Sequence, residues 1–159
     1  IGVGVDEEEL WAGVVGHSAA VSFLREAVKT PVHAYLFVGP IGTGTAEAAR
    51  AFAGSLLAED TENDEASRHR YLAANHSHPD LVLIEPEGRS FLVADAKRVI
   101  KEGWRTPIES KRKVIVVDRF DSAEPEAAAS LLKTIEEPPP TVVFVFLVSE
   151  VPDSHVTIA

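Results

Sequence analysis

The chain has 159 residues, no cysteine, and a formal net charge of −10 that results from 15 basic and 25 acidic residues. This length fits one domain, or one domain plus part of another, with a single core. The lack of cysteine excludes disulfides and thiolate zinc sites. The acidic balance argues against tight binding of a phosphate backbone by this chain alone. No apolar run approaches the roughly 18 residues of a membrane span, and the N-terminal residues carry no basic signal region. We therefore expect a cytoplasmic protein that does not contact a membrane.

Apolar residues follow two alternating patterns along the chain. Helical spacing predicts helices within residues 18–29, 48–57, 93–104 and 127–135. The third of these helices is expected to carry Trp104 on its apolar face. Continuous apolar runs predict buried strands at 34–38, 81–86, 114–117 and 142–148. Strands that are apolar on both faces and separated by helices predict an α/β sandwich, with a parallel sheet covered on each side.

A glycine-rich segment links the first predicted strand to the helix that follows. Gly39 and Gly44 have the spacing of a phosphate-binding loop, in which the second glycine is followed by lysine and then serine or threonine. Gly39, Gly42 and Gly44 provide the dihedrals and the close backbone approach that an anion cradle requires. Thr45 and Ala46 stand where the lysine and the magnesium-binding hydroxyl belong. The segment is therefore either a weakened anion site or a tight turn without a ligand.

The segment from 59 to 78 interrupts the helix and strand pattern. Residues 59–65 contain five acids in seven positions and are typical of a solvated surface. His69, His76 and His78 follow, and neutral imidazole is a good zinc ligand. Because no further ligand stands at a regular spacing, we interpret the histidines as exposed residues of a polar loop, with a metal site as the alternative.

The strand at 114–117 tests whether the site can hydrolyse a nucleotide. In P-loop enzymes such a strand ends in an aspartate that helps to hold magnesium, often followed by a glutamate that activates water. Here Asp118 is followed by Arg119, and a guanidinium cannot act as a base at neutral pH. Together with Thr45 and Ala46, this substitution predicts that the chain has no intrinsic ATPase activity.

Four segments, taken in order, resemble the bacterial clamp-loader AAA+ family. They are "VVGHSAAVSFLREAV" (14–28), "HAYLFVGPIGTG" (33–44), "HPDL" (78–81) and "VIVVDRFDSAEPEAAASLLKTIEEPPPTVVFVFLVSE" (114–150). The most diagnostic part is "LLKTIEEPPPTVVFVF" (131–146), which is similar to a helix and the following strand of those subunits. The resemblance extends from about Leu10 to Ala159.

The resemblance implies a P-loop NTPase (AAA+) three-layer sandwich, with a central parallel sheet flanked by helices. It implies that residues 1–159 form one AAA+ domain at the N-terminus of a longer chain, with an acidic, histidine-containing insert at about 59–78. The lid and collar domains of the family would then lie outside this sequence, as would the Ser-Arg-Cys motif expected after Ala159. Many members carry a four-cysteine zinc module before "HPD", and because this chain has no cysteine we expect no zinc.

Within the family, the side chains at 45, 46 and 119 resemble the non-hydrolysing delta-prime type of subunit. The alternative is the ATP-binding or ATP-hydrolysing gamma/tau type, which keeps the lysine, the hydroxyl and the Asp-Glu pair. The resemblance implies a non-catalytic subunit of the DNA-directed DNA polymerase III holoenzyme, which helps to load the sliding clamp onto primed DNA. An unrelated P-loop kinase is set aside because the chain shows no acceptor-binding signature.

The family pattern also indicates which residues belong to the site. Val14, Val15 and Gly16 match the segment that lines the adenine pocket, although apolar residues there also suit a core. Ser149 matches a polar sensor position at the end of the last predicted strand, with a serine that only caps the strand end as the alternative. The expected set for a degenerate nucleotide or anion site is Val15, Gly39, Gly42, Gly44, Thr45, Asp118 and Ser149. No cofactor is expected, and any binding of ATP or an anion should be weak.

The implied partners are the gamma/tau and delta subunits. The sliding clamp and primer-template DNA would be contacted through the assembled complex. Lys111, Arg112 and Lys113 form a short basic cluster just before the Asp118 strand. We interpret this cluster as a solvated turn, with DNA contact inside an assembled ring as the alternative.

Overall fold

A computed structural model describes residues 4–12, 14, 18–40 and 44–149 of the chain. The helices are α1 (Glu7–Ala12), α2 (Ser18–Ala27), α3 (Thr45–Ala58), α4 (Asn63–Ala74), α5 (Val93–Gly103) and α6 (Pro125–Glu136), and Phe120–Ser122 form a short 3-10 helix. The strands are β1 (Ala34–Val38), β2 (Leu81–Ile84), β3 (Lys113–Val117) and β4 (Val142–Val148). A strand or helix of the predicted type lies at each of the eight predicted positions. No helix within these ranges is long and apolar enough to cross a bilayer.

The four strands form one parallel sheet in the order β1-β4-β3-β2. Ala34 of β1 lies opposite Phe144 of β4, and Lys113 of β3 lies opposite Val142 of the same strand. Because parallel strands run in one direction, the carboxyl ends of β1, β4 and β3 lie at one edge of the sheet. Loops at this edge are the usual ligand-binding position of an open α/β sheet.

Strands β3 and β4 are buried along their whole length and alternate between two hydrophobic cores. Val114 and Val116 pack into the core beneath α1, α2 and α3. Ile115 and Val117 pack into the core beneath α5 and α6. Successive residues of a strand point to opposite faces, so a run without polar residues requires cover on both sides. The predicted three-layer α/β arrangement is confirmed.

Strand β2 differs from the buried strand predicted at 81–86. It ends at Ile84, and the Leu83 side chain is 47% exposed. Among the described strands, β2 pairs only with β3, so it lies at an edge of the sheet. A continuous apolar run does not distinguish an edge strand from a central one.

Helix α4 lies inside the segment that was predicted to be a polar loop. It packs against α3 and buries Ala66, His69 and Ala73, which follow each other at spacings of three and four residues. Two alanines and a histidine give a weak apolar signal, which is why the pattern was missed. Residues 59–65 nonetheless lie at the surface, as expected.

Helix α1 has no counterpart among the predicted elements. It buries Leu10 and Trp11, and the Trp11 indole N–H donates to the Ser55 hydroxyl of α3 at 3.0 Å. One buried turn after three acidic residues is too short for a periodicity signal.

Two side chains near α5 are placed differently from the prediction. Trp104 is 61% exposed, because α5 ends at Gly103 and the indole lies beyond the buried face. Lys113 is only 5% exposed, and its ammonium donates to Glu102 at 2.9 Å. The solvated-turn interpretation is therefore wrong for Lys113, although it describes Lys111, whose ammonium pairs with Asp60 at the surface.

Asp80 fixes the turn that leads into β3. Its side chain is fully buried, and its carboxylate accepts the backbone N–H groups of Ile108 at 2.5 Å and of Glu109 and Ser110 at 2.7 Å. Three donors on one carboxylate offset the cost of burying the charge. The start of β2 and the turn before β3 are thereby held together.

We expect Asp80→Asn to lower the free energy of unfolding by about 2 kcal/mol or more, because the buried amide offers one acceptor oxygen where the carboxylate accepts three backbone N–H groups. Asp60→Asn is the matched control. Asp60 forms a surface ion pair with Lys111 and has a φ of 65° that asparagine tolerates. Its loss should cost less than about 1 kcal/mol. Urea denaturation of both variants measures the difference, and equal effects would contradict the proposed role of Asp80.

Candidate functional site

A cleft of about 550 Å³ lies where β1, β3 and β4 end and α3 begins. Its described lining includes the predicted residues Gly39, Gly44, Thr45, Asp118 and Ser149. Val15 and Gly42 lie outside the described residues, as do Gly16 and the segment 150–159. Within the described part of the chain, the sheet therefore brings these five predicted site residues to one edge.

The two described glycines differ in what they contribute. Gly44 has a φ of 92°, a left-handed conformation that favours glycine, and it immediately precedes α3. Gly39 has no positive φ, and its N–H donates to Val148 O at 3.0 Å. The prediction of an unusual dihedral holds for Gly44 and is wrong for Gly39. The amide of Gly39 extends the β1–β4 ladder instead of facing an anion.

The first turn of α3 offers backbone donors but no cation. Ala48 is the residue whose N–H donates to Gly44 O, so the amides of residues 45–47 precede the first intrahelical bond. Thr45 and Ala46 bring neither an ammonium nor a hydroxyl at the magnesium position. Glu47 adds a carboxylate to the same turn of the cleft wall.

Asp118 and Arg119 lie where β3 leaves the sheet. The Asp118 carboxylate accepts the backbone N–H of Arg119 at 2.9 Å, and Arg119 has a left-handed φ of 49°. The guanidinium of Arg119 donates to Pro86 O at 3.1 Å. One of its donors is thus directed at the loop after β2.

Ser149 is held by Asp121, a residue that the sequence patterns did not indicate. The Ser149 hydroxyl donates to the Asp121 carboxylate in a short hydrogen bond, and the Ser149 N–H donates to the same oxygen at 3.3 Å. The only sequence signal was the second acid of "VDRFD", three residues after Asp118. The polar group at the predicted sensor position is therefore already paired within the protein.

The charge of the cleft disfavours an anion. Its described lining carries the three carboxylates of Glu47, Asp118 and Asp121 against the single guanidinium of Arg119. A bound polyphosphate would lie next to negatively charged carboxylates, and the lysine that normally compensates its charge is missing.

A smaller apolar cavity of about 220 Å³ adjoins the cleft. Val14 lines it together with Phe23 and Tyr35, and Gly44 and Thr45 belong to the walls of both spaces. Phe23 is 65% exposed there. Val14 also packs against the first core, so its position fits both an adenine pocket and a core residue.

Two of the three candidate metal-binding histidines are buried, which corrects the exposed-loop interpretation. His69 and His78 are 1% and 3% exposed, and His69 Nδ1 lies 2.7 Å from His78 Nε2. His76 is exposed, and its ring contacts the Arg50 guanidinium at 2.7 Å. The burial follows from α4, which carries His69 on the face that packs against α3.

The carboxylate of Glu109 lies near the two buried rings, but the three groups do not fit a metal site. The Asp80 N–H donates to His78 Nδ1 at 3.0 Å, so the proton of the neutral ring is on Nε2, where a metal would need a lone pair. Both oxygens of Glu109 are paired with Arg68, at 3.0 and 3.3 Å, and this guanidinium lowers the pKa of the carboxyl. The absence of zinc stays a prediction.

Comparison with known proteins identifies the family. Residues 16–159 match the model of the family described as DNA polymerase III, delta subunit. A DNA polymerase III subunit delta' of Bacillus subtilis is 38% identical over 108 residues, which are 67% of this chain and 33% of that protein. The DNA polymerase III subunit tau of the same organism is 32% identical over 143 residues, which are 86% of this chain and 25% of that protein. The chain thus spans about a third or less of the length of these relatives.

Among solved structures, a DNA polymerase III gamma subunit-related protein of Thermotoga maritima has a TM-score of 0.60 and 17% identity. The similarity covers 87% of this chain and 43% of that one, and at this identity it shows the fold alone. The expected AAA+ fold is confirmed. Because the family model covers everything after the first 15 residues, the chain belongs to the DNA polymerase III delta-subunit family.

Proposed function

We propose that the chain is a non-catalytic, delta-prime-like clamp-loader subunit of DNA polymerase III, acting in the bacterial cytoplasm. It helps to load the sliding clamp onto primed DNA, with gamma/tau and delta subunits as its direct partners. The clamp and the primer-template are reached through the assembled complex. The family match and the names of the relatives support a place in this assembly. Both delta' and tau relatives are among them, so the choice between the two types depends on the cleft.

The observation that carries the proposal is the first turn of α3. A motor subunit needs an ammonium there for the terminal phosphates and a hydroxyl for magnesium. Thr45 and Ala46 provide neither, and Glu47 puts a negative charge at the same place. The described backbone, with a left-handed Gly44 leading into α3, resembles the helix end of a nucleotide site, while the side chains lack the groups that hold a triphosphate.

The far side of the cleft supports the same conclusion. Arg119 occupies the position of the general base, and its guanidinium is directed towards Pro86 O. Asp121 engages both the hydroxyl and the amide of Ser149, so the sensor position would have to break these bonds to contact a phosphate. Other residues thus stand at the positions of the lysine, the magnesium ligand and the base, and the serine at the sensor position is already hydrogen-bonded.

The second candidate is a nucleotide-binding subunit of the gamma/tau type. The left-handed Gly44 and the apolar cavity lined by Val14, Phe23 and Tyr35 favour it, because they resemble an anion loop next to a base pocket. On this candidate function, the arrangement would give weak binding of an adenine nucleotide. It does not replace the missing phosphate and magnesium contacts.

We expect no magnesium-dependent ATP turnover by this chain above the level of a heat-denatured control. Thr45→Lys alone should also be inactive, because Ala46 still lacks a hydroxyl and Arg119 still occupies the position of the base. Phosphate release under excess ATP measures both proteins. If Thr45→Lys were active, Ala46 and Arg119 would not be additional causes of inactivity, which contradicts the proposal.

We expect Mg-ATP to bind in roughly the millimolar range. Two missing charge-assisted contacts of about 1.5–3 kcal/mol each weaken a micromolar site by two to four powers of ten. The double variant Thr45→Lys/Ala46→Thr should bind at least about tenfold more tightly, whereas the uncharged control Thr45→Val should bind like the parent. Calorimetric titration distinguishes them. A one-to-one isotherm of micromolar affinity for the parent would favour the gamma/tau type.

In a reconstituted clamp loader, Thr45→Val in this subunit should leave the rate of clamp loading within about twofold of the parent. A non-catalytic subunit does not use this side chain for chemistry, and valine keeps its shape. Native mass spectrometry of the assembled complex controls for loss of the subunit. A tenfold slower rate with intact assembly would contradict a non-catalytic role.

A further inference from the structure

Two buried histidines connect α4 to the turn before β2. His69 lies on the inner face of α4, and His78 lies two residues before Asp80. Their rings are 5.0 Å apart between centroids and are tilted by 30°. The 2.7 Å contact between His69 Nδ1 and His78 Nε2 is a direct polar link between this helix and the sheet-side turn.

The hydrogen bonds around the pair fix where each proton lies. The backbone N–H of Asp80 donates to His78 Nδ1, so the neutral His78 ring carries its proton on Nε2. That proton is donated to His69 Nδ1, and the neutral His69 ring then carries its own proton on Nε2. His69 Nε2 is buried without a hydrogen-bond partner among the described residues, and it lies 3.9 Å from the carboxylate of Glu65.

We propose that the His69–His78 pair is an acid-sensitive latch, which holds α4 in place only while both rings are neutral. Each ring has one unprotonated nitrogen, and each of these nitrogens accepts a hydrogen bond. An added proton must therefore go to an acceptor, where it faces another N–H at 3.0 Å or less. Two donors facing each other in a buried site repel, so a proton on His69 Nδ1 breaks the contact between the rings, and a proton on His78 Nδ1 breaks the contact of His78 with the Asp80 N–H.

The charged groups that face the pair do not cancel this effect. Glu65 and Arg68 lie on α4, and Asp80 and Glu109 lie on the turns opposite. The Asp80 carboxylate is taken by three backbone amides, and Glu109 by Arg68. Ser110 donates its hydroxyl to Leu57 O at 3.0 Å and lies 3.5 Å from His69 Nδ1.

Burial lowers the pKa of His78 below its ordinary value, and the neighbouring His69 lowers it further, while Asp80 and Glu109 oppose the shift. The unfolded chain takes up a proton near pH 6.5, whereas folded His78 does so only at lower pH. The contribution of neutral His78 to the free energy of unfolding is therefore fully present above the pKa of the unfolded chain, and it is lost as the pH falls below about 6.5. The unfolding constant should rise by about tenfold per pH unit for each proton taken up on unfolding.

His78→Asn is the informative variant, and His76→Asn is its matched control. Asparagine at 78 keeps an acceptor for the Asp80 N–H in an Asx turn and does not titrate. His76 is exposed two residues earlier, with a φ of 57° that asparagine also tolerates. Urea unfolding of the parent and both variants at pH 7.5, 6.5 and 5.5 gives the pH dependence of each.

Between pH 6.5 and 5.5, the unfolding constant of the parent and of His76→Asn should rise up to about fivefold more than that of His78→Asn, because a histidine with a pKa near 6.5 is already half protonated in the unfolded chain at pH 6.5. Hydrogen exchange should show the same factor in the protection of the α4 amides. Equal pH dependence in all three proteins would overturn the proposal.

Nitrogen-15 spectra of the parent keep the test decisive if His78→Asn does not fold. Both rings should show the Nε2–H tautomer at pH 7.5, and His78 should gain its second proton below pH 6.5. An Nδ1–H tautomer in either ring would overturn the latch. The latch would also be overturned if added Zn²⁺ stabilised the parent and left His78→Asn unchanged. That result would show that these nitrogens have free lone pairs.

Discussion

Burial of β3 and β4 on both faces is the constraint on which the rest of the structure depends. Their side chains alternate between two cores, and neither core can form unless helices cover its own side of the sheet. A parallel strand must be reached by a crossover, so each return of the chain adds a covering helix. The same crossovers bring the ends of β1, β3 and β4 to one edge. The apolar sequences of β3 and β4 therefore determine both the layered fold and the position of the cleft.

The cleft separates two properties that are found together in a phosphate-binding loop, namely a glycine turn that leads into a helix and a cationic side chain beside it. Gly44 and the start of α3 give the shape, which depends on the strand–turn–helix path. The charges at the site are set by individual side chains, and here carboxylates outnumber cations along the described walls. The side chains at this site can vary without loss of the architecture, because Thr45, Ala46 and Arg119 belong to neither core.

The strands and the main helices could be predicted because long apolar runs and helical periodicity are local properties. Gly44 was predictable for the same reason, since its left-handed φ follows from the turn itself. Helix α4 was not, because its buried face consists of two alanines and one histidine. The contacts of Asp121 with Ser149 and of Asp80 with Ile108 each join residues 28 positions apart. No local pattern specifies such pairs, since they exist only after the sheet has formed.

The two tryptophans differ in exposure and therefore provide an intrinsic fluorescence signal for local structure. Trp11 is 4% exposed and hydrogen-bonded to Ser55, whereas Trp104 is 61% exposed at the end of α5. Indole emission shifts to longer wavelength in water, so the native spectrum is the sum of a blue component and a red one. On unfolding, the emission maximum of Trp11 shifts to longer wavelength, whereas that of Trp104 changes little. Replacing Trp104 by phenylalanine would leave a single emitter that reports selectively on the contact between α1 and α3.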